Sequence, residues 1–314
     1  MFKALLAALL ALFITSALNA NELGGYAGAS LRLPGDAITA GSGGITIFGD
    51  ASTFSFGSNP ASLGRGQGRR ISASLANLSL DRYLNTAGVI LALPPTAQLG
   101  VGVQDAGTRG IEARDSRGYY AGDLQDEERF IVVAFANRVS DALDVGVTLK
   151  LLNRQFTSID DSWLDLAAKG FGVNIGVSLE VSETSQLALS VRDINSSYNW
   201  KTGNLFSLAS SYREVFPANL AWGWQQTRGN IGIKLEHNWY FIGAHVGRVA
   251  IDWQPMQTLT LRGGSAIDSD GISPGAGASY EFALGRNTMQ VDLGFVLGVA
   301  GEGLRSYLGW SFEF

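Results

Sequence analysis

From Leu143 to Leu151 the chain reads LDVGVTLKL, with an apolar residue at every odd position and Asp, Gly, Thr and Lys between. A period of two places these two sets on opposite faces of an extended strand. The pattern returns as GFGVNIGVSLEV at 170–181, NIGIKLEHN at 230–238 and TMQVDLGFVLG at 288–298. The second face is what constrains the fold. Glycine, serine, asparagine and charge recur there, and a dry core does not accept them. A β-sandwich with wet outer faces can carry such strands, and so can a barrel with lipid outside and a hydrated interior.

The connections separate the two. Alternation places strands near 70–81, 86–93, 97–105, 128–138, 142–155, 167–181, 185–195, 215–226, 229–239, 244–254, 257–266, 273–284, 287–298 and 303–314. Every second connection is a tight turn (PPTA, VSDA, SETS, TRGN, PMQT, LGRN), and the others are longer, notably 106–127, 156–166 and 196–214. Short turns on one side and long loops on the other are the habit of transmembrane barrels. In lipid only closure satisfies every backbone group. The expectation is an all-β fold: a closed antiparallel transmembrane β-barrel of about fourteen strands over 69–314. Both chain ends are then expected on the periplasmic side.

Composition agrees. The chain has 314 residues, 40 glycines, 7 tryptophans and 16% charged residues, suited to a greasy exterior around a crowded interior. It has no cysteine, so no disulfide holds it, and its net charge of −5 with scattered basic residues gives no nucleic-acid footprint. The opening MFKALLAALLALFITSALNA has an early lysine, a short apolar run and small residues, the layout of a secretory signal peptide over 1–20 with cleavage after Ala17 or Ala20. At the other end Leu308, Trp310, Phe312 and Phe314 alternate to the last residue. This ending resembles the C-terminal signature of outer-membrane barrels, which implies recognition by the barrel assembly machinery and residence in the bacterial outer membrane.

Residues 21–68 do not alternate and carry twelve glycines. They are too apolar for a disordered tail and are expected to fill the lumen as a plug, glycine permitting close approach to the wall. The order LRLPGDAITAGSGG, FGDASTF, NPASL resembles the N-terminus of the PorV/PorQ group within the fatty-acid-transporter (FadL-like) superfamily, at Leu33, Pro34, Ala37, Gly43, Gly44, Asp50, Asn59, Pro60, Ala61 and Leu63. The resemblance implies a fourteen-stranded barrel and a non-enzymatic task. Its PorV-like branch implies an accessory of protein secretion or surface display that engages exported proteins within a larger complex; this is the reading taken first. Its FadL-like branch implies passive uptake of hydrophobic or amphipathic small molecules. A structural or adhesive surface protein is the third possibility. The NPASL stretch also reads simply as a proline turn joining plug to barrel.

Inward positions are expected to include Asp144, Lys150, Glu180, Arg192, Lys234, Glu236, Arg248, Asp252, Arg262, Glu281 and Asp292. Both signs are present, so they form no single-sign selectivity ring. They are expected to pair with one another and to cap the plug's backbone, and they disfavour a continuous apolar tunnel. An external-loop patch is expected from Tyr198, Trp200, Phe206, Leu208 and Tyr212, facing a partner, a ligand or the barrel rim. The acidic stretches DLQDEER and SIDDSWLD face solvent or bridge lipopolysaccharide through divalent ions. With two histidines, His237 and His245, no cysteine and no G-x-S-x-G, neither a nucleophilic triad nor a metal or cofactor site is expected.

Overall fold

A computed structural model describes residues 23–48, 54–65, 68–159, 164–201, 211–299 and 302–314. The signal-peptide segment, Asp50, Phe206 and Leu208 lie outside them. The wall consists of β1 (Arg70–Leu78), β2 (Arg82–Leu93), β3 (Ala97–Arg114), β4 (Tyr120–Arg138), β5 (Leu143–Ser158), β6 (Asp165–Ser182), β7 (Ser185–Lys201), β8 (Ser211–Val215), β9 (Asn219–Arg228), β10 (Ile231–Tyr240), β11 (His245–Met256), β12 (Leu259–Asp268), β13 (Gly271–Leu284), β14 (Asn287–Leu297) and β15 (Leu304–Glu313). Neighbours in sequence pair antiparallel except β8 and β9, β1 also pairs with β15, and β7 pairs with β9 below and β8 above. Fourteen strands close the barrel and β8 stands outside the count. Arg70 lies opposite Glu313, and the Phe314 N–H donates to the Arg69 carbonyl, so the seam is bonded to the end of the chain.

The two solvents are visible in single strands. In β4, Ile131, Val133 and Phe135 are exposed at 44%, 37% and 44%, whereas Val132, Ala134 and Ala136 are buried. In β5, Val147, Leu149 and Leu151 face out while Thr148 and Lys150 are buried in the lumen. Leu308, Trp310 and Phe314 are exposed in the same way on β15, with Phe312 half-buried between them. Lipid covers this apolar belt.

The strands are of unequal height. β3 to β7 run 16–19 residues, against 9–12 for β1, β2, β10, β11, β12, β14 and β15. Since about 9–11 residues cross a bilayer, the taller arc projects beyond it. The stretch 106–127, expected as loop, is therefore mostly strand: β3 and β4 stay paired to Arg114 and Tyr120 across a bulge after Thr108. Likewise 196–214 supplies the end of β7 and most of β8. The strand expected from 215 starts at Asn219 instead, because Phe216, Pro217 and Ala218 interrupt it and proline lacks a ladder donor.

Inside the barrel the plug runs lengthwise. Leu23 packs with Ile242 against Tyr240, Ala244 and Val246 at the long-loop end, while the 3-10 turn Pro60–Arg65 leads into β1 at the tight-turn end. The described chain thus starts and finishes at opposite ends of the barrel. The barrel itself begins and ends on one side, with Arg70 of β1 opposite Glu313 of β15.

Candidate functional site

The plug begins as a strap, residues 23–34, across the long-loop end. Arg32 holds it in shape by donating to the carbonyls of Ala27, Leu23 and Tyr26. Ser30 donates to Glu128 of β4, and Gln104 of β3 donates to the Ser30 carbonyl. Next comes one short helix, α1 (Ala37–Gly41), with a capping box: the Thr39 N–H donates to Asp36 Oδ1 at 2.8 Å and the Asp36 N–H to Thr39 Oγ1 at 3.2 Å. Helix α1 lies directly on the wall. A Cβ at Gly41 would come within 2.9 Å of the Gly277 Cα, and one at Gly294 would overlap the Ala37 carbonyl. Only glycine permits that approach.

Beyond α1, side chains take over. Glu236 of β10, fully buried, accepts the backbone N–H groups of Thr46 at 2.6 Å and Ile47 at 3.0 Å. It also faces Arg192 of β7 at 3.3 Å and Arg248 of β11 at 3.5 Å, and accepts from Asn238 at 3.0 Å. Asn59 of the NPASL stretch donates to the Ile47 carbonyl at 2.7 Å and accepts the Ala61 N–H at 3.2 Å, an Asx-type turn that opens onto Pro60. Pro60 itself packs against Gly146, and Ala61 and Leu63 are buried. Thr148, Asn174 and Ser190 donate to the carbonyls of Phe56, Gly57 and Ser58.

The inward charges largely meet partners. Lys150 pairs with Asp193, Lys234 with Asp252 at 2.6 Å, and Asp144 with Arg138 at 3.4 Å. Arg262 lies 3.7 Å from Asp252 and donates to Ser279, which in turn donates to Asp292. Glu180 and Glu281 are exposed near the tight-turn end. Asp193 had no place in the sequence reading. It and Asn195 take positive φ values of 58° and 52°, and the register of β6 against β7 shifts beside them, so simple alternation misplaces that stretch.

The aromatic patch divides. Tyr198 is buried in the lumen, 5.0 Å from Phe216 by ring centroids, with its hydroxyl toward Glu128, and Trp200 donates to Glu214 at 2.8 Å. Both belong to β7 rather than to an external loop, and strand alternation turns them inward. Tyr212 alone of the described members is exposed, at 64%. On the outer wall His237 and His245 stand 3.3 Å apart, nitrogen to nitrogen, beside Trp222 and Trp239. Among the described residues no group of three or more acidic, histidine or cysteine side chains is placed to hold a metal.

Two cavities flank the strap. One, about 440 Å³, is lined by Tyr26, Leu33, Leu78, Tyr83, Glu128 and Arg154 among others. Arg154 carries its charge balance: it binds Asp126 at 2.6 Å, faces Glu128 at 3.6 Å and Glu214 at 3.7 Å, and lies over the Trp200 ring. The other, about 300 Å³, lies between the strap, Tyr240, Val246, Val296 and Arg305. Leu33 borders both. Beside the first, the β9–β10 pairing ends with the Phe241 N–H to the Ala218 carbonyl, and β8 rises beyond it, paired only with β7 among the described residues.

No protein-family model and no curated protein matches the sequence. Solved structures do match. The toluene transporter TodX of P. putida superposes with a TM-score of 0.70 at 12% identity, covering 89% of this chain and 98% of that one. The CymD monoaromatic hydrocarbon channel gives 0.65 at 13%, covering 90% and 98%. A Pseudomonas aeruginosa FadL homologue gives 0.60 at 11%, covering 88% and 96%. These neighbours are channels and transporters rather than enzymes. The protein therefore has the fold of the FadL-like outer-membrane channels: a closed barrel of fourteen strands around an N-terminal plug.

Proposed function

We propose that the protein is a passive outer-membrane channel that admits small molecules with both an apolar and a polar part. The observation that carries this reading is the pair of cavities on either side of the strap. At about 440 and 300 Å³ they are of the size that holds a small ligand. Their lining mixes Tyr26, Tyr83, Leu33 and Leu78 with Arg154 and Glu128, which suits an amphipathic passenger better than a bare alkane. The fold shared with a toluene transporter and a monoaromatic hydrocarbon channel supports uptake over the secretion-accessory reading.

The test is uptake. Vesicles carrying the purified protein are expected to take up a small phenolic solute faster than empty vesicles, and a disaccharide no faster. Equal rates for the phenol with and without protein overturn the channel reading. A deletion strain distinguishes the secretion role: normal display of surface proteins with slowed solute uptake is the expected result, and lost display with normal uptake is the opposing one.

A further inference from the structure

Between the plug and the wall, at mid-height, lies a third and smaller space of about 50 Å³. As about 10–15 Å³ of such volume admits one water, it has room for a single small ion with a water or two. It is lined by Arg32, Asp36, Lys150, Arg192, Asp193 and Arg248, with Glu236 just behind the two last-named arginines. Arg192 Nε and Nη2 and Arg248 Nε are buried there and find no acceptor among the described residues. Arg248 is nine-tenths buried. The plug leaves it space: Gly44 lines the same cavity with φ +84°, and a Cβ there would sit 3.0 Å from Arg248 Nε.

Among the described residues the charges do not balance: Arg32, Lys150, Arg192 and Arg248 face Asp36, Asp193 and Glu236, leaving one positive charge over. Lys150 is committed to Asp193, and Arg192 and Arg248 divide Glu236 between them. Guanidinium N–H groups buried without an acceptor are costly. Water would give those donors an acceptor but leave the excess charge, which a low-dielectric interior penalises. A small anion answers both. The Asn219 side-chain oxygen, buried against the same space without a donor, suits a water accompanying the ion.

We propose that this cavity binds one small monovalent anion between Arg192 and Arg248. The anion holds both arginines on Glu236, and Glu236 in turn grips the plug through Thr46 and Ile47. This does not rest on the channel reading and would stand if the passenger were something else. The same chemistry is offered by a free halide and by the carboxylate of a passenger molecule, so the experiment separates them.

Crystals of the full protein grown in bromide are expected to show an anomalous peak between Arg192 and Arg248; density without anomalous signal there overturns a halide site. In detergent solution at constant ionic strength, replacing gluconate by chloride or bromide is expected to raise the thermal unfolding midpoint by a few degrees, saturably. Arg248→Gln is expected to abolish that rise, while Arg82→Gln, at the vestibule, leaves it intact. If butyrate gives the rise and bromide gives neither rise nor peak, the site takes a carboxylate instead and the free-halide form is overturned. If no anion shifts the wild-type midpoint and no peak appears, the proposal is wrong whether or not the arginine variants fold.

Discussion

The plug meets two arcs of the wall by different means. Against β12–β14 it lies backbone on backbone, with Gly41 on Gly277, Gly43 on Ser265 and Ala37 on Gly294. Against the arc from β5 to β10, apart from the close approach of Pro60 to Gly146, side chains hold it: Thr148, Asn174, Ser190 and Glu236 each reach a main-chain group of the plug. The first contact is a matter of shape, made by main-chain atoms. The second consists of hydrogen bonds and ion pairs, which water, ions or a ligand can replace one at a time. The glycine arc is therefore the fixed side of the plug and the polar arc the side that can let go.

Three substitutions sharpen or break this contrast. Glu236→Ala is expected to have the largest effect, about 3–5 kcal/mol, because it strands two buried guanidinium groups and two backbone N–H groups together. The barrel should still assemble, read as heat-modifiable migration on a gel, but conduct in planar bilayers, where the wild type is expected to be nearly silent. Silence in the variant would mean that the polar arc does not hold the plug. Gly294→Val forces a side chain into the Ala37 carbonyl and should cost about 1–3 kcal/mol. It is expected to lower the unfolding midpoint without the rise in conductance, since the polar arc remains whole; a conducting variant would reverse the roles assigned to the two arcs. Thr148→Ala removes one hydrogen bond to Phe56 and should cost about 0.5–1.5 kcal/mol, detected as a small midpoint shift with unchanged conductance.

The wall was largely legible in the sequence because two solvents wrote opposite instructions on alternate residues. Val147 and Lys150 differ as sharply in composition as in surroundings. Legibility failed where that contrast vanished. Above the bilayer both faces of β4 meet polar surroundings, so Gln125, Glu127 and Arg129 look no different from Asp126 and Glu128, and paired strand reads as acidic loop. At β7 the bulges near Asp193 and Asn195 shift the parity, and the parity alone told inside from outside. Charges such as Lys150, Lys234 and Glu236 could be placed inward singly, since a charge cannot face lipid, but Glu128, Arg154 and Asp193 were missed and Glu180 and Glu281 lie exposed. The partnerships of the inward charges were not legible, because Glu236 meets Thr46 across 190 positions of chain. The glycine contacts were hidden for a different reason: glycine marks that something comes close, without saying what.

The lengthwise path of the plug bears on how the molecule is put together. Its far end joins β1, and β1 makes the seam with β15, while its middle touches the β13 and β14 backbones with no clearance for passage. A finished cylinder offers no way to slide such a filling into place. The staves must gather around the stopper and the last joint be made afterwards, so the filling is enclosed as the cylinder forms rather than fitted into it.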